Sequence, residues 1–173
     1  MTKATLDDLD VSGRRVLLRV DFNVPMRDGR IVDDRRIRAS LPTIEALRDR
    51  GARVIVVTHF GRPKGKPNPE LSTASLAAHL GRLLETTVPV AGDVVGESAR
   101  AMVTGLRDGD VGMLENVRFE PGEEANDPAF AQALASLADL YVNDAFGAAH
   151  RAHASTEGVA HLLPAASGRL MAR

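Results

Sequence analysis

Two short stretches of this chain carry side chains suited to holding a small anion that also bears hydroxyl groups. In Arg19-Val20-Asp21-Phe22-Asn23-Val24-Pro25, Asp21 and Asn23 are two residues apart. On an extended backbone they point the same way and offer acceptors and a donor to one ligand. A lone Asp after a strand is as often a turn former, so the pair rather than the single residue carries the signal. In Thr58-His59-Phe60-Gly61-Arg62-Pro63, Gly61 permits close backbone approach and Arg62 supplies a guanidinium fork. His59 alone would pass as a helix cap or core filler. Beside Arg62, just past an apolar run, it is a phosphate donor.

Further guanidinium groups stand where the chain leaves other apolar runs. Arg118 follows Glu115 and Asn116, and Arg151 follows Asn143 and Asp144. Arg36 lies at the start of a helical segment after Asp33 and Asp34, within reach of Asp21. Arg35 and Arg38 are its rivals, and spacing does not choose among them. Arginine forks match carboxylate and phosphate geometry better than lysine does, which suits their recurrence at these positions. Two nearby patterns fail. Gly61-Arg62-Pro63-Lys64-Gly65-Lys66-Pro67 has three residues between its glycines and Pro where a nucleotide-phosphate loop needs a hydroxyl. His150 and His153 have the spacing of a helical metal pair but no supporting carboxylate or Cys in sequence, so no metal is expected there.

These residues need a scaffold that brings distant segments together. Apolar runs at Arg15 to Val20, Arg53 to Val57, Val111 to Leu114 and Leu140 to Val142 each open onto one of the polar groups, and a weaker run covers Val88 to Val90. Between them lie segments of helical spacing. Ile37, Leu41, Ile44 and Leu47 form one face, ended by Gly51 and disturbed by Pro42. Leu76, Leu80, Leu83 and Leu84 form a second, and Ala99, Met102, Val103 and Leu106 a shorter third. Asp127-Pro128 is a capped helix start ahead of Phe130, Ala133, Leu134 and Leu137. Strand and helix alternate, and the strands are apolar on both faces. The expected fold is therefore α/β: three-layer, a Rossmann-like parallel β-sheet with helices on both faces. In such sheets ligands bind beyond the carboxyl ends of the strands. The opposite edge carries Arg48, Asp49, Arg50, Arg53, Arg107, Asp108 and Asp110, a balanced mixture without His or a Gly loop. Pro63 to Pro69 reads as a flexible loop, and Thr156 to Leu163 as a short helix.

At 173 residues the chain is most simply one domain. A net charge of −1 gives no global attraction to polyanions, and 3% aromatics with no Trp leaves little for stacking bases, so no nucleic-acid partner is expected. The absence of Cys excludes disulfides and thiolate metal sites. No apolar run is long enough to span a bilayer, so no membrane partner is expected either. A cytoplasmic monomer is the expectation.

Taken together, Arg19 to Pro25, Arg36-Ile37, Thr58 to Pro63, Leu114 to Phe119 and Asn143 to Ser155 resemble the phosphoglycerate kinase family, in the family's order and along the whole chain. Thr58 and Phe60 depart mildly, where Ser and Leu are common. The family has two domains joined by a helical hinge. The resemblance covers only the N-terminal, substrate-binding one, with Arg169 to Arg173 similar to the run into the hinge helix. It implies that the Mg2+ and ATP or ADP of the full-length enzyme are bound by the C-terminal domain, and that no cofactor is bound by this chain. The implied ligands are 3-phosphoglycerate and 1,3-bisphosphoglycerate, and the implied partner is the C-terminal domain.

Carried onto matching positions, the resemblance implies that Asp21 and Asn23 hold the hydroxyl and carboxylate end of the triose, with Phe22 shaping the wall. His59, Arg62, Arg118 and Arg151 would clamp the non-transferred phosphate, helped by the Phe60 and Gly61 backbone. Arg36 would be the catalytic residue, nearest the transferring phosphoryl group. A triose phosphate acid carries about −2.5 to −3 at neutral pH. Four arginines less Asp21 supply roughly +3 against it, with His59 neutral. Such a chain alone is expected to bind the triose anion without turnover. The alternative is a stand-alone, non-catalytic anion-binding module using the same pocket.

Overall fold

Successive residues of the first apolar run point into two different cores. Val16 and Leu18 pack with Val54, Val56, Ile37, Ile44, Leu47, Leu76 and Leu80. Leu17 packs instead with Ile55, Val57, Tyr141, Ala99, Val103, Phe130 and Leu134. A strand that buries both faces needs helices on both sides. The computed structural model describes residues 4–148 and 151–172. Its elements are β1 (Arg15–Arg19), β2 (Met26–Arg27), β3 (Arg30–Ile31), α1 (Arg35–Ala39), α2 (Leu41–Asp49), β4 (Arg53–Val57), α3 (Ala74–Leu84), α4 (Glu97–Gly105), β5 (Val111–Met113), α5 (Pro121–Glu124), α6 (Pro128–Ala135), β6 (Leu140–Asn143) and β7 (Ala165–Ser167). Helices α1 to α3 cover one face of the sheet, and α4 and α6 the other.

The main sheet has five strands in the order β5-β4-β1-β6-β7, and every pairing is parallel. Counted along the chain this is third, second, first, fourth, fifth, the Rossmann arrangement, whose direction reverses at the first strand. Arg19 is level with Val57 on one side and Asn143 on the other. The exits of β1, β4 and β6 therefore lie side by side.

Several expectations are corrected. Val88 to Val90 is not a strand but a single bridge from Val90 to Met113. Pro89 accepts from the Met113 N–H but has none of its own to extend a ladder. The fifth strand is instead β7, on the far edge, where Tyr141 N–H bonds Pro164 and Ser167 N–H bonds Ala4. Pro42 does more than bend a helix: α1 ends at Ser40, and α2 restarts with Pro42 in its first turn. Gly51, at φ 80°, ends α2 as expected, and the Asp127 side chain accepts from Phe130 N–H at 3.0 Å to start α6. The segment from Thr156 holds only a 3-10 turn, Gly158–His161, and residues 169–172 form turns rather than the start of a helix. Strands β2 and β3 form a hairpin closed by Asp28 and Gly29, both at positive φ. That Asp-Gly signal was present in the sequence.

Candidate anion site at the strand exits

The exits of β1, β4 and β5 are tied together by side-chain to backbone bonds. After β1, Asn23 accepts from Gly61 N–H at 2.9 Å through Oδ1, and Phe22 N–H donates to Thr58 Oγ1 at 3.0 Å. After β5, Asn116 Oδ1 accepts from Phe60 N–H at 3.3 Å and from Arg118 N–H at 3.1 Å. Its Nδ2 donates to the carbonyls of Phe60 and Leu71. The Pro63 to Pro69 loop is held by Gly65 N–H on the Arg118 carbonyl at 3.0 Å.

Arg36 is singled out from its rivals by geometry. Arg35 pairs with Asp33 at 2.6 Å, which draws the Asp33 carboxyl down to about 2, and Arg38 pairs with Asp34 at 2.9 Å. Arg36 alone reaches the β1 exit, where Nη1 lies 3.2 Å from both Asp21 oxygens and 3.1 Å from the Asn23 carbonyl. Beside them lies a cavity of about 210 Å³ whose lining includes Asp21, Arg36, Ser40, Phe146 and Gly147. Gly147 packs so tightly there that a Cβ on it would stand 2.2 Å from Asp21 Oδ2. A larger hollow, about 390 Å³, lies elsewhere, among Pro67, Ser72, Asp93, Glu115 and Glu120. Its acidic lining is wrong for an anion.

Arg118, His59, Arg62 and Arg151 form a positive cluster. Arg118 is 5% exposed, and its Nε and Nη2 make no hydrogen bond. Glu124 faces it at 3.8 Å from an exposed position. Burial pulls the Arg118 guanidinium down; Glu124 opposes this, while Arg151 and Arg62 add to it by repulsion. Arg62 and Arg151 are exposed and, among the described residues, make no ion pair. His59 is pushed down to about 2, first by burial, then by the charges of Arg19, Arg118, Arg151 and His153. It is a neutral imidazole. At the other end of the sheet, by contrast, Arg53 pairs with Asp108 and Arg15 with Asp139.

Two readings of individual residues change. Phe22 is fully buried in the core beneath the site and does not form its wall. The Phe60 and Gly61 N–H groups are committed to Asn116 and Asn23 and so position the site rather than bind a ligand. His150 lies outside the described residues; His153 has Nδ1 3.9 Å from Glu123. Four buried polar residues went unseen as partners in the sequence. Arg19 is wholly buried and meets His59 Nδ1 at 3.0 Å and Ser155 Oγ at 2.7 Å. Ser155 in turn donates to buried Glu123 at 2.6 Å, and Asn116 is the clamp just described. An arginine inside an apolar strand was the available signal.

Among the described residues no group of three or more His, Cys, Asp or Glu could hold a metal, and the guanidinium-rich edge repels a divalent cation. The described residues therefore offer no carboxylate set for a magnesium ion. Nor is any helix long and apolar enough to cross a membrane.

The phosphoglycerate kinase family model matches residues 6–173. The phosphoglycerate kinase of Moorella thermoacetica is 60% identical over 171 residues, covering 99% of this chain and 44% of that protein. That of Caulobacter vibrioides is 57% identical over 173 residues, again 44% of its length. Among solved structures, phosphoglycerate kinase from Coxiella burnetii superposes with a TM-score of 0.89 at 38% identity, over 99% of this chain and 42% of that one. The enzyme from Pyrococcus horikoshii OT3 gives 0.88 at 38% identity, over 98% and 43%. The chain thus spans less than half the length of the curated relatives it matches, and corresponds to their N-terminal part. With its parallel sheet and its sequence in accord with these proteins, the chain belongs to the phosphoglycerate kinase family.

Proposed function

We propose that this chain is the triose-binding half of a phosphoglycerate kinase, ending near the inter-domain hinge. The whole enzyme would transfer a phosphoryl group reversibly between ATP and 3-phosphoglycerate in the cytoplasm. One observation carries this reading. Arg118 is buried with two unbonded donors, and two further guanidinium groups, Arg151 and Arg62, act on it by repulsion. A buried guanidinium with unmet donors is costly unless an anion joins it.

Roles follow from donors and acceptors. Asp21 accepts only, so it takes a substrate hydroxyl and repels the carboxylate. Asn23 has spent Oδ1 on Gly61, which leaves its amide N–H groups for the carboxylate end. Arg118, Arg62 and Arg151 surround the non-transferred phosphate, and neutral His59 donates to it. Arg36 is anchored through Nη1 on Asp21 and Asn23; its remaining donors are left to offset charge on the transferring phosphoryl group. The magnesium nucleotide would be held by a further, C-terminal domain, and this chain alone would not turn over.

Calorimetry of the chain with 3-phosphoglycerate, against inorganic phosphate, tests the reading. Saturable one-to-one binding tighter than for phosphate supports it; equal or no binding overturns it. A chimera carrying the C-terminal remainder of the Moorella relative should transfer phosphate from ATP. Binding without such transfer would favour the stand-alone anion module.

A further inference from the structure

We propose, on the reading that this edge holds the triose phosphate, that Arg19 is a positioning residue that fixes His59 in the tautomer protonated on Nε2, making it a phosphate donor. A guanidinium has N–H donors and no acceptor. Where Arg19 Nη2 lies 3.0 Å from His59 Nδ1, that nitrogen must therefore accept. The one proton of the neutral imidazole then sits on Nε2. A carbonyl or carboxylate at Nδ1 would select the opposite form and leave Nε2 as an acceptor, which a phosphate repels.

Arg19 itself is held on its other atoms. Nε donates to Ser155 Oγ at 2.7 Å, and Nη1 donates to the Val20 carbonyl. Ser155 Oγ passes its proton side to Glu123 Oε2 at 2.6 Å, and Ser155 N–H donates to Glu123 Oε1 at 2.8 Å. Tyr141 closes the set by donating to the Ser155 carbonyl at 2.7 Å. One planar fork thus meets three acceptors from three parts of the chain, which a lysine could not do. Glu123 balances the buried guanidinium, so Arg19 orients His59 without adding net charge to the pocket. The groups around His59 are Arg19 from β1, Arg118 after β5, and Arg151 and His153 after β6; these hold it neutral across the working pH range.

The test uses the chain labelled with 15N at histidine. In the unsubstituted protein, His59 should show a protonated Nε2 and an unprotonated Nδ1, unchanged down to about pH 4. A His59 protonated on Nδ1 overturns the proposal whatever the chain binds. In Arg19→Met the two tautomers should mix, and 3-phosphoglycerate affinity should fall about tenfold. Arg19→Lys, the milder variant should the first fail to fold, should keep the tautomer and lose less affinity. In a His59→Ala background, Arg19→Lys should have no further effect on affinity; an additive loss would mean that Arg19 acts independently of His59. Failure of the unsubstituted chain to bind 3-phosphoglycerate would sink the functional reading while the nitrogen spectrum still decides on Arg19.

Discussion

Glu124 stands opposite Arg118, its Oε1 3.8 Å from Arg118 Nε, and among the described residues it is the only carboxylate paired with that buried guanidinium. The contact is too long for a hydrogen bond, and Glu124 is more than half exposed. It therefore competes with an incoming anion without being part of the fold's support. Glu124→Gln should tighten 3-phosphoglycerate binding by about two- to fivefold, with stability changed by less than about 0.5 kcal/mol. Calorimetry and urea unfolding check both halves; weaker binding in the variant would assign Glu124 a supporting role.

Arg36 and Arg118 should separate kinetically in the chimera with the Moorella remainder. Arg36→Met should lower kcat by about a hundredfold or more while the triose Kd shifts by less than about threefold. Arg118→Met should weaken both binding and kcat/KM, by roughly tenfold or more. Equal binding losses with unchanged turnover would reverse the assignment of Arg36.

Acid should destabilise this protein partly through His59. Its folded value is depressed to about 2, below the ordinary 6.5 of an exposed histidine. Between those values the unfolded chain binds a proton that the folded chain refuses, so this contribution is intact above pH 6.5 and is lost as pH falls below it. The slope is at most about 1.4 kcal/mol per pH unit. His59→Gln should flatten the stability curve between pH 6 and about pH 4. An unchanged curve from urea unfolding would show that His59 titrates normally.

Glu123 should matter for stability out of proportion to its distance from solvent or ligand. Glu123→Ala leaves Arg19 buried without its counter-charge, which costs on the order of 3 kcal/mol. Chemical denaturation measures this directly. A loss under about 1 kcal/mol would indicate that water or a shifted side chain replaces the carboxylate.

Gly147→Ala should displace Asp21, because the added methyl would overlap Oδ2, which Arg36 Nη1 holds at 3.2 Å. We expect triose binding to weaken by roughly tenfold, with a stability loss of about 1 to 3 kcal/mol. Binding equal to that of the parent would mean that Asp21 can move without consequence.

The sheet and its exit edge were legible because their causes are local. Four apolar runs with helices between them prescribe a parallel sheet, and the trailing residues then share one edge. What escaped the sequence depends on neighbours distant along the chain. Val88 to Val90 looked more strand-like than Ala165 to Ser167, but Pro89 cannot donate, whereas weak β-formers suffice where β6 and Ala4 supply the bonds. Arg36 was indistinguishable from Arg35 and Arg38 until Asp33 and Asp34 were seen to take the rivals. Arg19 shows no role in the sequence, because its partners Ser155 and Glu123 lie more than a hundred residues away. Phe22 was given a wall role by the resemblance, whereas it continues the alternation of Val16, Leu18 and Val20 into the core.

Asn116 has both ends of its amide occupied by backbone on three separate segments, around Phe60, Leu71 and Arg118. A platform riveted in this way spends little entropy on ordering when a metabolite arrives. The amide protons of Phe60 and Arg118 should accordingly exchange with deuterium only as slowly as those of the central strands, with or without the triose. On the proposed function, recognition would then be a matter of charge meeting a surface already in place.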